Sequence, residues 1–125
     1  MNKNKLYEYK YLINSLILFS ASFSYLKSLD SPSFDIEFEL GAEFEIGFNE
    51  KYLEKLLREK TIDVSIYNKL LDFKKYILLV PDAFWTIYEL ESNPIWESVR
   101  EMASELLHLL GENEKKYDFS IIRTI

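Results

Sequence analysis

From about Lys5 to Leu29 the chain runs without a glycine or proline and carries apolar side chains on most helical faces, leaving a narrow polar strip near Glu8, Ser15 and Ser22 at heptad spacing. A helix that is apolar nearly all round cannot lie on a surface and has to be wrapped by other elements. The pattern predicts one long, largely buried helix. Asp30-Ser31-Pro32-Ser33 should end it, because proline disfavours helical geometry in the residue before it and Asp and Ser form local turns. Lys3 and Lys5 ahead of the apolar stretch Tyr11 to Phe23 imitate a secretory signal. Asn14, Ser15, Ser20 and Ser22 interrupt that stretch, however, and no A-x-A-like cleavage site follows. It also falls short of the roughly 18 uninterrupted apolar residues of a membrane span. The expectation is a buried core helix in a cytoplasmic protein that makes no membrane contact.

The next segment alternates. Apolar residues occupy even positions (Phe34, Ile36, Phe38, Leu40, Ala42, Phe44, Ile46, Phe48) and acids odd ones (Asp35, Glu37, Glu39, Glu43, Glu45), with Gly41 and Gly47 as interruptions. A period of two predicts an extended segment with one apolar and one acidic face, and its even side chains, Phe38 among them, in the core. A two-residue turn at Gly41-Ala42 would mix the faces. A three-residue connection from Gly41 to Glu43, or a single strand kinked at Gly41, keeps them pure. Phe119 to Ile125, rich in Ile with few charges, reads as a strand paired with it.

The remainder reads as helices with recognisable ends. Asn49 is placed to cap a helix from about Glu50 to Glu59, and Asp63 one that runs to about Leu79 and closes at Pro81. Asp82 starts an aromatic helix, Ala83 to Glu91. Asn93 as N-cap, Pro94 at the first helical position and Gly111 as the stop bound the best-defined helix. Its stripe of Ile95, Val99, Met102, Ala103, Leu106 and Leu110 faces the core. The fold class is therefore mainly α: a helical bundle with a small antiparallel β element at about 34–48 and 119–125. At 125 residues, with 48% apolar side chains, residues 1–125 make a single domain. No internal repeat is apparent.

Little of this composition suits catalysis. There is no cysteine and one histidine, His108, which removes thiolate chemistry, disulfides and multi-His zinc sites. His108 lies three residues after Glu105 on the polar side of its helix, with no Ser or Cys nucleophile motif beside it. The pairs Glu37/Glu39 and Glu43/Glu45 arise from simple alternation and lack the Asp/Asn/Gly pattern of an EF-hand loop. Gly41, Gly47 and Gly111 fit neither a dinucleotide fingerprint nor a P-loop. The basic clusters Lys74-Lys75 and Lys115-Lys116 are too short for a nucleic-acid footprint. No enzyme activity, cofactor, metal or direct nucleic-acid contact is expected. Of the large aromatics Trp85, Tyr88 and Trp96, at least two should be core.

Charge distribution is the informative remainder. Residues 28–50 hold seven acids (Asp30, Asp35, Glu37, Glu39, Glu43, Glu45, Glu50) and no Lys or Arg, while the rest carries 15 basic and 14 acidic residues, so the net charge of −6 is local. A single-sign face suits docking onto something basic, and Asp35, Glu37, Glu39, Glu43, Glu45 and Glu50 are the expected partner-binding residues. In general character, as a small, acidic, cysteine-free and mostly helical domain without catalytic apparatus, the chain resembles the immunity proteins of bacterial toxin systems, contact-dependent growth inhibition included. That resemblance implies an antitoxin that binds a cognate toxin domain, often a basic nuclease, and blocks its active site. Two other readings use the same features: a phage-type inhibitor that mimics nucleic acid, and an adaptor or structural subunit that makes contact through its long N-terminal helix.

Overall fold

The computed structural model describes residues 6–113 and 116–121. Among them are seven α-helices: α1 (Tyr7–Ser20), α2 (Phe23–Leu29), α3 (Ile36–Gly47), α4 (Glu50–Arg58), α5 (Val64–Leu78), α6 (Ile87–Ser92) and α7 (Pro94–Leu109), with a 3-10 turn at Asp82–Trp85 before α6. The chain is a helical bundle, as its patterning predicts. The caps sit where the sequence places them. The Asn49, Asp63 and Asn93 side chains accept from the backbone N–H groups of Tyr52, Ile66 and Ile95, and Gly111 takes the left-handed conformation, φ 74°, that stops α7. The aromatic helix expected from Ala83 is instead split into the 3-10 turn and α6, because Thr86 turns extended and caps α6 with its side chain.

Helix α1 is the hub, with every residue from Leu12 to Phe19 buried, and it packs most extensively on α3 and α7. The all-round apolar helix is thus wrapped on both sides, by α3 and by α7. It does not continue to Leu29. Ala21 turns extended, Ser22 caps a new helix by accepting from Tyr25 N–H, and α2 leaves at 119° to α1. Among the described residues no single helix is long and apolar enough to cross a membrane, and α1 and α2 reach that length only as this bent pair.

Residues 34–48 depart furthest from expectation. They form helix α3, not a strand or hairpin, and the only β pairing among the described residues is an isolated bridge between Ser31 and Phe34. Even positions include Ile36, Leu40, Phe44 and Phe48, which recur every four residues and so line one helical stripe as readily as a strand face. Helix ends decide between the two. The Asp35 carboxylate accepts from Glu37 N–H and that of Asp30 from Ile36 N–H, while Glu37 and Glu39 fall in the first turn, where acids complement the exposed amides. Glu is moreover a good helix former and rare in strands. Residues 119–121 are not a strand either. Phe119 packs against Phe34 and Tyr117, and 122–125 lie outside the described residues.

One inward side chain of the strand reading turns outward. Ile36, Leu40, Phe44, Ile46 and Phe48 are buried, but Phe38 is 61% exposed. Phe38→Asp, which would unfold a domain built on the extended register, should therefore change stability by no more than about 1 kcal/mol, as exposed helix positions do. A thermal melt checks this, and a loss of several kcal/mol would favour the strand.

Candidate functional site

Winding residues 34–48 into a helix scatters the expected acidic face. Glu39 (7% exposed) and Glu43 (1%) turn into the bundle, where Glu43 Oε1 accepts from the Tyr117 hydroxyl at 2.7 Å. Asp35 is exposed and caps α3, and Glu50 is exposed in the first turn of α4. Glu37 is exposed, with Oε2 accepting from Ile87 N–H at 2.7 Å, which ties the start of α3 to the start of α6. Only Glu37 and Glu45 of the six expected partner-binding residues come together, at one groove.

That groove runs between α3, the end of α5 and the 3-10 turn and encloses about 430 Å³. Glu37, Gly41 and Glu45 line it along one stripe of α3, at the four-residue spacing that stacks side chains. Asp82 faces it from the 3-10 turn. Phe44, Ile77, Val80 and Trp85 supply apolar walls, and Leu78, 65% exposed, stands at its side. Among the described residues no Lys or Arg lines it. Among the described residues the one ion pair is Lys55–Glu8 at 3.3 Å, so the carboxylates of Glu45 and Asp82 have no cationic neighbour within reach. Further exposed apolar side chains neighbour its lining residues in the chain: Phe38 beside Glu37 and Leu79 (82% exposed) beside Leu78.

Trp85 and Trp96 both pack inward, meeting edge to face at 5.0 Å, with Trp96 buried and donating its indole N–H to the Phe84 carbonyl. Asp82, expected only as a helix start, and Leu78, which no sequence argument singled out, both line the groove. Their signal, an acid after Pro81 and the apolar run Leu78-Leu79-Val80 just before it, is visible only once α5 and α3 are side by side.

A smaller cavity of about 100 Å³ lies where α1 meets the segment after α7, bordered by Tyr9, Asn14, Glu112 and Asp118. It is built as a joint. Asn14 exchanges two 2.9 Å hydrogen bonds with the backbone of Asp118, and the Tyr9 hydroxyl donates to Glu112 Oε2 at 2.9 Å. Burial, reinforced by that bond and by the charge of Glu112, holds the Tyr9 phenol far above its ordinary range, so it stays a neutral donor. His108 is exposed in the last turn of α7, where a basic residue complements the helix end. No cluster of three or more His, Cys, Asp or Glu among the described residues is placed to hold a metal ion.

Comparison with protein families, curated proteins and solved structures finds no match. Any functional reading therefore rests on the groove and on the charge around it.

Proposed function

We propose that this protein is a cytoplasmic immunity protein that binds a cognate bacterial toxin domain, a basic nuclease, and neutralises it by occupying its phosphate-binding surface. The observation that carries this reading is the groove between α3 and the end of α5, where Glu45 and Asp82 have no counter-ion among the described residues and Leu78 is exposed beside them. A permanent apolar and anionic patch of that kind is a surface that a basic partner covers. Burial of Glu39 and Glu43 breaks the row of carboxylates that a mimic of a nucleic-acid backbone would need, which favours a localised protein contact over mimicry.

Co-expression with the toxin encoded beside this gene, scoring growth and measuring binding at two ionic strengths, tests the proposal. The native chain should protect and bind. Reversing the groove with Glu45→Lys and Asp82→Lys should slow association roughly tenfold or more at low salt, because a reversed patch repels the surface it formerly attracted. The deficit should shrink as salt rises, since ions at 0.1 M screen such fields over about 10 Å. Absence of any protection by the native chain would remove the immunity reading, and unchanged, salt-independent binding by the reversed variant would remove the groove from it.

A further inference from the structure

Resting on the reading of the groove as a partner-binding surface, we infer that its occupant is an arginine side chain presented by the partner protein. Three properties of the groove select that group. Carboxylates line the groove from two different elements, Glu45 from α3 and Asp82 from the 3-10 turn, with no cation among the described residues lining the space. A planar guanidinium offers five N–H donors in a fork and can serve two such acceptors at once, where an ammonium is a compact, strongly hydrated point charge. The same groove is also lined by apolar and aromatic side chains: Leu78, Val80 and Trp85. The methylene stem of arginine lies well along aliphatic side chains, and its weakly hydrated head stacks on an indole.

Gly41 is the third property. It sits within α3 between Glu37 and Glu45, and a Cβ built there meets nothing within 4 Å. The space beside Gly41 is therefore open, and a side chain at this position would project into it unhindered. Nothing in the packing of α3 demands glycine there, and glycine weakens a helix interior relative to alanine. Space left open at a cost to the helix is space for a side chain from outside, and it is flanked by acids.

The isolated full-length protein can be titrated by NMR with N-acetyl-arginine methylamide, with the lysine and leucine counterparts as comparisons. The arginine derivative should shift the amide resonances of Gly41 and Leu78 and the indole resonance of Trp85, with several-fold weaker saturation by the lysine derivative and none by leucine. Glu45→Gln with Asp82→Asn should abolish those shifts, and Gly41→Phe, which fills the opening, should do the same. Gly41→Ala serves as the folding control and should melt above the parent. Equal response to leucine, retention of binding in the neutralised variant, or shifts that map elsewhere would overturn the arginine site. Because this titration contains no toxin, arginine binding without protection in co-expression would leave the site standing and remove the immunity reading. Full protection by folded Gly41→Phe would place the toxin elsewhere and remove arginine insertion.

Discussion

Gly47→Ala should lower stability by about 1–3 kcal/mol, even though alanine is the better helix former by about 1 kcal/mol. Here α3 passes so close to α1 that an added Cβ would lie 2.5 Å from the Ser15 Cβ and 2.9 Å from the Tyr11 carbonyl oxygen. The second of these is backbone and cannot rotate away. Both helices lie in the core, so the two must move apart, and neighbouring contacts at Leu12, Leu16, Phe44 and Phe48 loosen with them. Ser15 shows the same pressure from the other side. It is fully buried, and its hydroxyl has no hydrogen-bond partner among the described residues, so what suits it to this crossing is its small size.

The crossing can be isolated by a double-mutant cycle in denaturant unfolding. Ser15→Gly removes two of the three crowding atoms, the Ser15 Cβ and Oγ, so Gly47→Ala should cost less in the Ser15→Gly background than in the parent. The same substitution six residues earlier should have the opposite sign: Gly41→Ala meets open space and should stabilise α3 by up to about 1 kcal/mol. Equal effects at the two glycines would mean that the α1–α3 contact is looser than 2.5 Å implies.

These two glycines also mark what could be read from the sequence. Local chemistry was legible: Asn49, Asp63 and Asn93 cap the helices they were expected to cap, and the all-round apolar segment is the central helix. Segment 34–48 was not, because residues 36, 40, 44 and 48 satisfy strand and helix alike. The local caps at Asp30 and Asp35 tip it to helix, and distant contacts add to them: α1 pressing on Gly47, and Tyr117, which supplies a hydroxyl to Glu43 from 74 positions on. A buried glutamate that recruits its donor from the end of the chain leaves no local trace. The break after Ser20 was signalled, since Ser22 is a capping residue, but its place in a heptad-spaced polar strip masked it.

The candidate site was legible to the same extent. Localised negative charge is a sequence property. Which acids share a surface depends on the helical period of α3 and on a turn about 40 residues later that brings in Asp82, so Glu37 and Glu45 stay together while Glu39 and Glu43 leave the surface.

The largest single loss should come from Phe19→Ala, at about 3–5 kcal/mol, a large part of the 5–15 kcal/mol typical of a small domain. Phe19 is buried near the end of α1, and its ring touches four others from three directions: Phe44 of α3, Phe73 of α5, and Trp85 and Trp96 of the 3-10 turn and α7, with centroids 5.9 to 6.5 Å away. Removing it leaves a void walled by rings too rigid to collapse into it, which is where truncation costs most. Two of those rings, Phe44 and Trp85, also wall the groove. Phe19→Leu keeps most of the volume but none of the ring contacts, so it should cost less than the alanine variant and remain folded. Its tryptophan fluorescence and the Trp85 indole resonance should nonetheless move, because the packing that sets the orientation of Trp85 has changed. Chemical denaturation of both variants checks the order, alanine well below leucine and leucine below the parent. A Phe19→Ala protein within about 1 kcal/mol of the parent would mean that this aromatic cluster is not what joins α1 to the groove wall.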